Sequence, residues 1–486
     1  MPRDDEFTLT LESSHFSCDG LEVRKLSGKE AIGRLFDFEI EVVSQGQGGP
    51  SAEAMAGAHV TLVMERYPGP GASWHGVRRV EGILAEVEDL LATHADLRAY
   101  RVRLVPAAFA LTLVETQDIF MGHPVPDIIR GKLEAVNLGA TVDMRLHGAY
   151  APREFVVQYK ESDLAFVSRL AEHLGISFYF PHTEDGQKIV FTDNASGFSL
   201  VDGAESIPYR ARGDRCDVFA LTALHRVVPS YYAVRDYNYR APQVDITGEH
   251  EVPAFAGGVI EFGAHHKTPE EAKALARVRA EERLATQLVY AGRSGVPALA
   301  AGMRVTIADH PDLGSVDVLV TEVEHEATLV VGAKDAPEAS GYVNTFRAIP
   351  ADRTYRPPRT TPKPRVAGLV TGIVDPGPAG PGATYAQLDD QGRYLVRFLF
   401  DTTPPDERPA SRPVRMIQNH AGENYGTHFP LKPGVEVVIA FIDGDPDRPL
   451  IVGAVPNPIK PSPVTNANPG IHRIKTSTGI TVDMAE

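Results

Sequence analysis

The sequence predicts a protein that is mainly β with a few helices, in the α+β class. Short runs rich in Val, Ile, Phe and Thr recur along the whole chain between Gly, Pro and charged residues, which is typical of β-strands. Only three segments are predicted to be helices, two from the three-to-four-residue spacing of their apolar residues and one from a capping box. A proline-rich stretch at 349–366 separates a long N-terminal part from a shorter part that shows only strand and turn patterns.

The composition indicates a chain that folds around apolar cores and does not bind nucleic acid. Of its 486 residues, 43% are hydrophobic, and the length favours about three domains. The formal net charge of −16 opposes binding to phosphate backbones, which requires basic patches. No run of about 20 apolar residues suggests a membrane span, and MPRDDEFTLT lacks the pattern of a signal peptide. We therefore expect synthesis in the cytoplasm and, if the protein is exported, a route that needs no signal peptide.

The first 150 residues are predicted to form mostly strands, with one helix. The strand candidates are FDFEIEVVS (36–44), VTLVM (60–64), VEGILAEVEDLL (80–91) and YRVRLVP (100–106). A helix is predicted over 125–137, because Pro126 and Asp127 suit a first helical turn. Its apolar residues follow helical spacing at Val125, Ile128, Ile129, Leu133 and Val136.

The segment EFVVQYKESDLAFVSRLAEHLGISFYF (154–180) is predicted to be a strand–helix–strand unit. EFVVQY alternates as a strand does, Ser162 is a good N-cap, and Gly175 can end the helix by taking a positive φ. The apolar stripe of this helix consists of Leu164, Val167, Leu170, Ala171 and Leu174. ISFYF returns to a strand pattern, and the aromatic residues expected in the core are Phe166, Phe178, Tyr179 and Phe180.

The strongest helix signal lies at 267–288. Thr268 and Glu271 form a capping box, and Pro269 stands at the first helical position. The many Arg and Glu residues of this helix are predicted to form its exposed face. Further strands are expected at 303–309 and 316–332, followed by the extended linker 349–366 with its five prolines.

Residues 367–458 predict a small β-barrel such as an OB-fold. About five strands in some 90 residues suit such a barrel, and the candidates are AGLVTGIV, YAQLDDQGRYLVRFLF, PVRMIQ, VEVVIAF and PLIVGAV. The tail GIHRIKTSTGITVDMAE (470–486) alternates as one strand or two would. We expect these strands to need partners that the chain itself does not provide.

Three alternating aspartates, Asp443, Asp445 and Asp447, raise the question of a calcium loop. An EF-hand needs Gly at its sixth position and Glu at its twelfth, where this chain has Arg448 and Ala454. Strand-like runs flank the segment on both sides, and DGDPDR has the composition of a turn. We therefore predict a hairpin whose carboxylates face solvent, and no metal site.

No enzymatic motif is complete in the sequence. Leu329 stands where an HExxH zinc helix beginning at His325 would need His, and Val296 replaces the last Gly of a nucleophile elbow around Ser294. Cys18 and Cys216 form no CxxC motif. We predict no catalytic, cofactor-binding or metal-binding residue and no cofactor. Two alternatives of another class remain open: a cell-wall hydrolase, and a carbohydrate- or peptide-binding module whose candidate aromatic residues are Tyr385, Tyr394 and Tyr425.

Taken together, these segments resemble the VgrG family, the valine-glycine repeat spikes of type VI secretion, and the fused hub-and-spike proteins of contractile phage tails and related injection particles. The motifs that carry the resemblance are LEVRKLSGKEAIGRLFDFEIEVVS, RVRLVPAAFALTLVETQDIFMGHPVPDII, the 154–180 segment, VRDYNY, VTEVEHEA, DDQGRYLVRFLFD, NHAGENYGTHFPLKPGVEVVIAF and GDPDRPLIVG. The chain departs from the family where tryptophans are usual: Asn419-His420 precede Ala421-Gly422, and Tyr425 precedes Gly426.

The resemblance implies a domain order. It implies a hub over residues 1–348, made of two related small barrel-like domains with helices, and an OB-fold domain over 367–458 after the linker 349–366. Residues 459–486 would begin a trimeric β-prism needle.

The resemblance also implies a structural function and no enzymatic activity. It implies a homotrimer that adapts a hexameric inner tube of the Hcp type to a trimeric tip, together with a PAAR-type tip protein, effectors and baseplate components. It further implies no nucleic acid, transient contact with a target membrane, and assembly in the bacterial cytoplasm before injection or secretion. A phage tail spike or an extracellular injection particle is the alternative within this class.

Overall fold

A computed structural model of the chain describes residues 7–45, 49–66, 76–90, 97–183, 186–201, 203–211, 217–329, 341–380, 382–404, 407 and 410–485. The chain divides into two compact units. Unit 1 comprises Met1–Val114, Pro126–Tyr150 and Asp163–Thr361, and unit 2 comprises Glu115–Val125, Ala151–Ser162 and Pro362–Glu486. None of the described helices combines the length and the hydropathy needed to cross a membrane.

Strands dominate both units, as predicted. The strands of the first 162 residues are β1 (Phe7–Ser13), β2 (Leu21–Ala31), β3 (Asp37–Gln45), β4 (His59–Arg66), β5 (Gly76–Asp89), β6 (Leu97–Val105), β7 (Glu115–Phe120), β8 (Val142–Arg145) and β9 (Val156–Ser162). The following strands up to the proline-rich stretch are β10 (Ser177–Tyr179), β11 (His182–Thr183), β12 (Gly186–Gln187), β13 (Ile189–Thr192), β14 (Ser199–Leu200), β15 (Ser206–Pro208), β16 (Val218–His225), β17 (Tyr231–Arg235), β18 (Gly248–Glu251), β19 (Gly258–Phe262), β20 (Leu288–Ser294), β21 (Met303–His310), β22 (Gly314–Thr328) and β23 (Gly341–Pro350).

The remaining strands all belong to unit 2. They are β24 (Val370–Val374), β25 (Tyr394–Phe398), β26 (Pro413–Met416), β27 (Ala421–Gly422), β28 (Tyr425–Gly426), β29 (Glu436–Phe441), β30 (Pro449–Ala454), β31 (Ile471–Lys475) and β32 (Thr481–Ala485). The helices are α1 (Ala52–Met55), α2 (Ala110–Leu113), α3 (Val125–Ala135), α4 (Asp163–Leu174) and α5 (Pro269–Leu284), with short 3-10 turns between elements.

Unit 1 is built on one large sheet of 13 strands. Its main path runs β1-β4-β5-β6-β3-β2-β22-β23-β20-β16, and β21 joins β22 and pairs with β14 and β15. The strands expected to form two small barrels are therefore joined, because β2 pairs with β22 over seven residues, from Lys25 opposite Thr328 to Ala31 opposite Glu322. Strand β22 was predicted to reach residue 332, but it ends at Thr328, and residues 330–332 lie outside the described part.

The strand–helix–strand prediction for 154–180 is correct for the elements and wrong for their arrangement. Helix α4 ends at Leu174, and Gly175 follows with φ 70°. Strand β9, however, pairs with β7 and belongs to unit 2, whereas α4 and β10 belong to unit 1. The four aromatic residues predicted in the core are all buried: Phe166, Phe178, Tyr179 and Phe180.

Helix α5 begins as predicted and differs on its charged face. The Thr268 side chain accepts a hydrogen bond from Glu271 N at 3.2 Å. Arg279 and Glu281 are buried, although the Arg and Glu residues were expected to be exposed. Both are paired, because Arg279 Nε donates to Glu261 at 2.8 Å and Glu281 accepts from Arg277 at 2.7 Å. The helix packs closely on β18, where a Cβ at Gly248 would lie 2.1 Å from the backbone of Ala272.

Unit 2 contains the predicted closed barrel. Its strand order is β24-β25-β26-β30-β29, and the alternate residues of each strand point into one core. The core includes Ile119 of β7 together with Phe155 and Val157, so the β7–β9 pair completes the packing of the barrel residues. The sequence predicted the barrel strands but not the two earlier segments that pack with them.

Candidate functional site

The last described residues form a β-hairpin. Strand β31 pairs antiparallel with β32, which places Ile474 opposite Val482 and His472 opposite Met484. Thr476 N donates to Ile480 O at 2.8 Å across the turn. The tail strands were expected to lack a partner in the chain, yet they pair with each other and with no other strand of the described residues.

The two faces of this terminal hairpin differ in chemistry. Directly opposite residues share a face, and successive residues alternate between faces. One face carries His472, Ile474, Val482 and Met484, with Ile480 at the turn. Apart from His472 this face is apolar, and Ile474, Val482, Met484 and Ile480 are 46%, 52%, 56% and 68% exposed. A two-stranded hairpin with an exposed apolar face is only marginally stable in water by itself.

The opposite face is held by a bidentate ion pair. Arg473 Nε and Nη2 each lie 2.8 Å from an oxygen of Asp483. These hydrogen bonds hold the pKa of the Asp483 carboxyl below its ordinary value, so the pair stays charged at neutral pH. The pair lies across directly opposite positions and thereby sets the register that presents the apolar face.

The aspartate-rich turn between β29 and β30 is the predicted hairpin, with one difference. Asp443 is exposed, but Asp447 is only 8% exposed and does not face solvent. Its Oδ1 accepts a hydrogen bond from Val157 N at 2.7 Å. Lys363 Nζ lies 2.6 Å from both Asp445 Oδ1 and Asp447 Oδ2, so an ammonium group occupies the space between the two carboxylates.

A second exposed hairpin, β27–β28, carries the Ala-Gly element singled out in the sequence. The Tyr425 ring lies against Gly422, where a Cβ would come within 2.2 Å of the ring. Tyr385 and Tyr425 are exposed, whereas Tyr394 is buried and its hydroxyl accepts from Leu431 N at 3.0 Å. Tyr394 is thus a core residue, which removes one of the three aromatic candidates for a sugar-binding face.

Two residues of the incomplete enzyme motifs, Ser294 and His325, are buried within the fold. Ser294 is buried, and its Oγ accepts from Val296 N at 2.9 Å. His325 is buried in a polar cluster with Glu30. Burial raises the pKa of the Cys18 thiol, which disfavours its reactive thiolate form, and Cys216 lies outside the described residues.

Sequence reasoning missed Lys363 and Val157 as partners of the aspartates. Lys363 stands in the proline-rich stretch, and Val157 precedes the turn by 290 positions. No local pattern can signal such contacts, because they depend on how distant segments pack. The alternating apolar residues of the tail were the one sequence signal that pointed to the terminal hairpin.

Two family models match the chain. Residues 29–330 match the phage tail baseplate hub (GPD) family, and residues 382–455 match the type VI secretion system/phage-baseplate injector OB domain. The first model thus covers most of unit 1, and the second covers most of the closed barrel in unit 2.

Known proteins with related sequences and structures agree with these matches. The type VI secretion system spike protein VgrG4b of Pseudomonas aeruginosa is 30% identical over 482 residues, which cover 93% of this chain and 57% of that protein. The E. coli c3393 protein, described as a component of the type VI secretion system with structural similarity to the T4 tail proteins gp27 and gp5, has a TM-score of 0.65. It is 24% identical, and the match covers 92% of this chain and 100% of that one. A Francisella PdpA-VgrG complex has a TM-score of 0.62 at 9% identity, covering 99% of this chain and 83% of that one.

Proposed function

The chain belongs to the phage tail baseplate hub family, and from this premise we propose that it is the hub-and-spike subunit of a type VI secretion apparatus, acting as a homotrimer. Its relatives named as spike proteins support the choice of apparatus. The chain spans just over half the length of the first of these relatives, so its partners are inferred from its own surfaces.

The observation that carries the proposal is the terminal hairpin, with its exposed apolar face, in the unit that holds the injector OB barrel. Three copies of this hairpin can bury Ile474, Val482 and Met484 against one another. The outer backbone edges of β31 and β32 would then pair between chains, which removes the liability of open sheet edges. In this proposal 459–486 forms the beginning of a trimeric needle.

The proposed mechanism is a match of symmetries rather than a chemical reaction. Each chain contributes two related groups of strands in the hub, so a trimer presents six to a hexameric inner tube of the Hcp type. The hairpins of the OB units point to a threefold tip, where a PAAR-type protein and effectors bind. Contraction of an outer sheath then drives the assembly out of the cytoplasm and through a target membrane.

The first experiment is a mass measurement by size-exclusion chromatography with light scattering. We expect three times the 52.7 kDa of one chain, with dissociation on dilution. Val482→Asp places a charge on the apolar face and should shift the protein towards monomer. Thr481→Asp, on the opposite face of the same strand, is the matched control and should leave the mass unchanged.

Two results would contradict the proposal. One is a monomer at every concentration. The other is a trimer that Val482→Asp and Thr481→Asp weaken equally, because the apolar face would then not be the contact.

The inner-tube protein that the trimer binds distinguishes a type VI secretion spike from the phage-tail alternative within the family. A purified trimer should bind preassembled hexameric rings of a type VI inner-tube protein in a sedimentation assay. Binding only to a phage tail-tube ring would assign the chain to a phage-like particle instead.

A further inference from the structure

Unit 1 contains a buried polar cluster around Glu30 of β2. Its carboxylate is reached by three side chains from three other strands: Arg78 of β5, His182 of β11 and His325 of β22. Glu30 Oε1 lies 2.9 Å from His325 Nε2 and also accepts from Arg78, while Oε2 lies 3.1 Å from His182 Nε2. The four side chains are between 0% and 6% exposed.

A neutral imidazole at His325 satisfies all the hydrogen bonds around it. Asn344 Nδ2 donates to Tyr342 Oη at 3.0 Å and to Val296 O at 2.8 Å. Tyr342 Oη can then donate its own hydrogen to His325 Nδ1, 2.6 Å away, while His325 Nε2–H donates to Glu30. A proton on Nδ1 would point at the tyrosine oxygen and leave the hydroxyl hydrogen without its acceptor. Protonation of His325 therefore reverses this contact and costs the cluster the hydrogen bond that the hydroxyl donates.

The charges of the cluster balance only when both histidines are neutral. Arg78 and Glu30 cancel, and Arg78 Nη1 is further fixed by the carbonyls of Pro297 at 2.8 Å and Leu299 at 3.0 Å. Each proton taken up by a histidine adds a buried positive charge beside that of Arg78, which is costly in an interior. The other charged groups that face the cluster are Arg66, Glu81, Arg79 and Lys188.

We propose that Glu30, His182 and His325 form an acid-sensitive latch, which holds β2 against β22 and β11 at neutral pH and opens when the histidines take up protons. Opening here means loss of the β2–β22 pairing and release of the two-residue strands β11 and β12. These strands pair only with each other among the described residues, and the hydrogen bonds of His182 to Glu30 and of Gln187 Nε2 to Glu81 O tie them to the large sheet. The latch is a property of unit 1 and does not depend on the proposed assembly.

The burial of the histidines determines whether the stability of unit 1 rises or falls as the pH is lowered. Burial lowers the pKa values of His182 and His325, while their hydrogen bonds to Glu30 offset this only in part. Glu30 itself has a pKa well below its usual range, because Arg78 and the two histidines outweigh its burial, so it stays ionised throughout. An opened unit therefore binds more protons than the closed one below about pH 6.5, and stability falls as the pH is lowered.

The test is hydrogen–deuterium exchange of the full chain, followed by mass spectrometry between about pH 5 and pH 8. After correction for the intrinsic exchange rate, the opening constants of amides in β2 and β22 should rise as the pH is lowered. The rise should be about tenfold for each pH unit below about 6.5 and for each histidine that is protonated on opening. The barrel strand β29 in unit 2 is the internal reference and should show no such rise.

Variants separate the latch from a general effect of acid. His182→Gln keeps a neutral hydrogen-bond donor but cannot titrate. In this variant the opening constants should therefore rise about tenfold less per pH unit, as the pH is lowered, than in the wild type. His225→Gln, at an exposed position of β16, should keep the wild-type slope. The proposal is overturned if β2 and β22 show no excess pH dependence, or if His182→Gln and His225→Gln have equal slopes. Because His325→Gln alters a wholly buried site and can prevent folding, the test does not rely on it.

Discussion

Buried carboxylates in this protein act as anchors for loops. Asp193 accepts hydrogen bonds from His147 N at 2.9 Å, Gly148 N at 2.7 Å and Tyr150 Oη at 2.8 Å. Burial raises the pKa of the Asp193 carboxyl, but these donors together with Asn194 outweigh that effect and hold it below its ordinary value. Its contribution to stability is therefore present above the unfolded pKa of about 4 and is lost as the pH falls below it.

Asp447 has the same role in unit 2, and its loss is predicted to be costly. Asp447→Ala would leave Val157 N and the Lys363 ammonium without this acceptor, so the free energy of unfolding should fall by about 2–3 kcal/mol in urea denaturation. Asp443→Asn, in the exposed part of the same turn, is the control and should change it by less than about 0.5 kcal/mol. Equal effects of the two substitutions would show that burial of Asp447 is unimportant.

The same turn predicts insensitivity to calcium. Lys363 Nζ already lies between Asp445 and Asp447, and a bound cation would have to displace it. Neither calcium nor a chelator should shift the thermal unfolding midpoint of the protein, measured by circular dichroism. A rise of several degrees on adding calcium would contradict the interpretation of this segment as a turn.

At the scale of elements, the proline-rich stretch is not a free linker. Residues 353–361 are fixed on unit 1 by arginines at every third position, a spacing that matches the three residues per turn of a polyproline II helix. Arg353 donates to Leu284 O at 3.1 Å, and Arg359 donates to Glu261 at 2.7 Å. We call residues 353–361 the strap. At its end, Glu172 accepts hydrogen bonds from Thr360 N and Thr361 N at 2.9 Å and 2.8 Å.

Arg356 is predicted to be the most important contact of the strap. It donates to Glu281 at 2.7 Å, Gly175 O at 3.0 Å and Asp193 O at 2.6 Å. Because Arg356→Ala leaves Glu281 poorly compensated, the free energy of unfolding of unit 1 should fall by about 2–4 kcal/mol. Protease cleavage within 353–361 should also accelerate.

A matched control for the strap is Arg347→Ala. This side chain is 61% exposed and its nearest ion-pair distance, to Glu322, is 3.7 Å, so its removal should cost less than about 1 kcal/mol. If cleavage within the strap were as slow in Arg356→Ala as in Arg347→Ala, the arginine would not hold this segment in place.

At the scale of the whole molecule, charge opposes the proposed association. Each chain carries a formal charge of −16, so three chains repel one another at long range. The surface proposed to join them is apolar, and the ion pair between Arg473 and Asp483 lies on the other face of the hairpin, within one chain. Salt should therefore screen the repulsion without weakening the contact.

The predicted result is association that strengthens with salt. Between about 0.01 M and 0.1 M ionic strength the screening length falls from about 30 Å to about 10 Å, and the trimer fraction should rise. Light scattering at a fixed concentration near the dissociation midpoint measures this directly. Dissociation on adding salt would instead indicate that ion pairs between chains hold the assembly.

The sequence by itself determined the fold class, the three long helices and the barrel strands. Thr268 and Glu271 cap α5, Gly175 ends α4, and the alternation of apolar residues marks the strands, because each of these signals acts between residues close in the chain. The motif order was sufficient to indicate the family. The alternating tail likewise pointed to strands.

Only the tertiary structure decided which charged and polar residues are buried and what they contact. Asp447 and Arg279 read as surface residues in the sequence and are buried in the structure. The latch joins Glu30 to His325 across 295 positions, and β9 packs with a barrel that begins some 200 residues later. A buried charge is stable only where distant partners meet it, and no local pattern of residues contains that information.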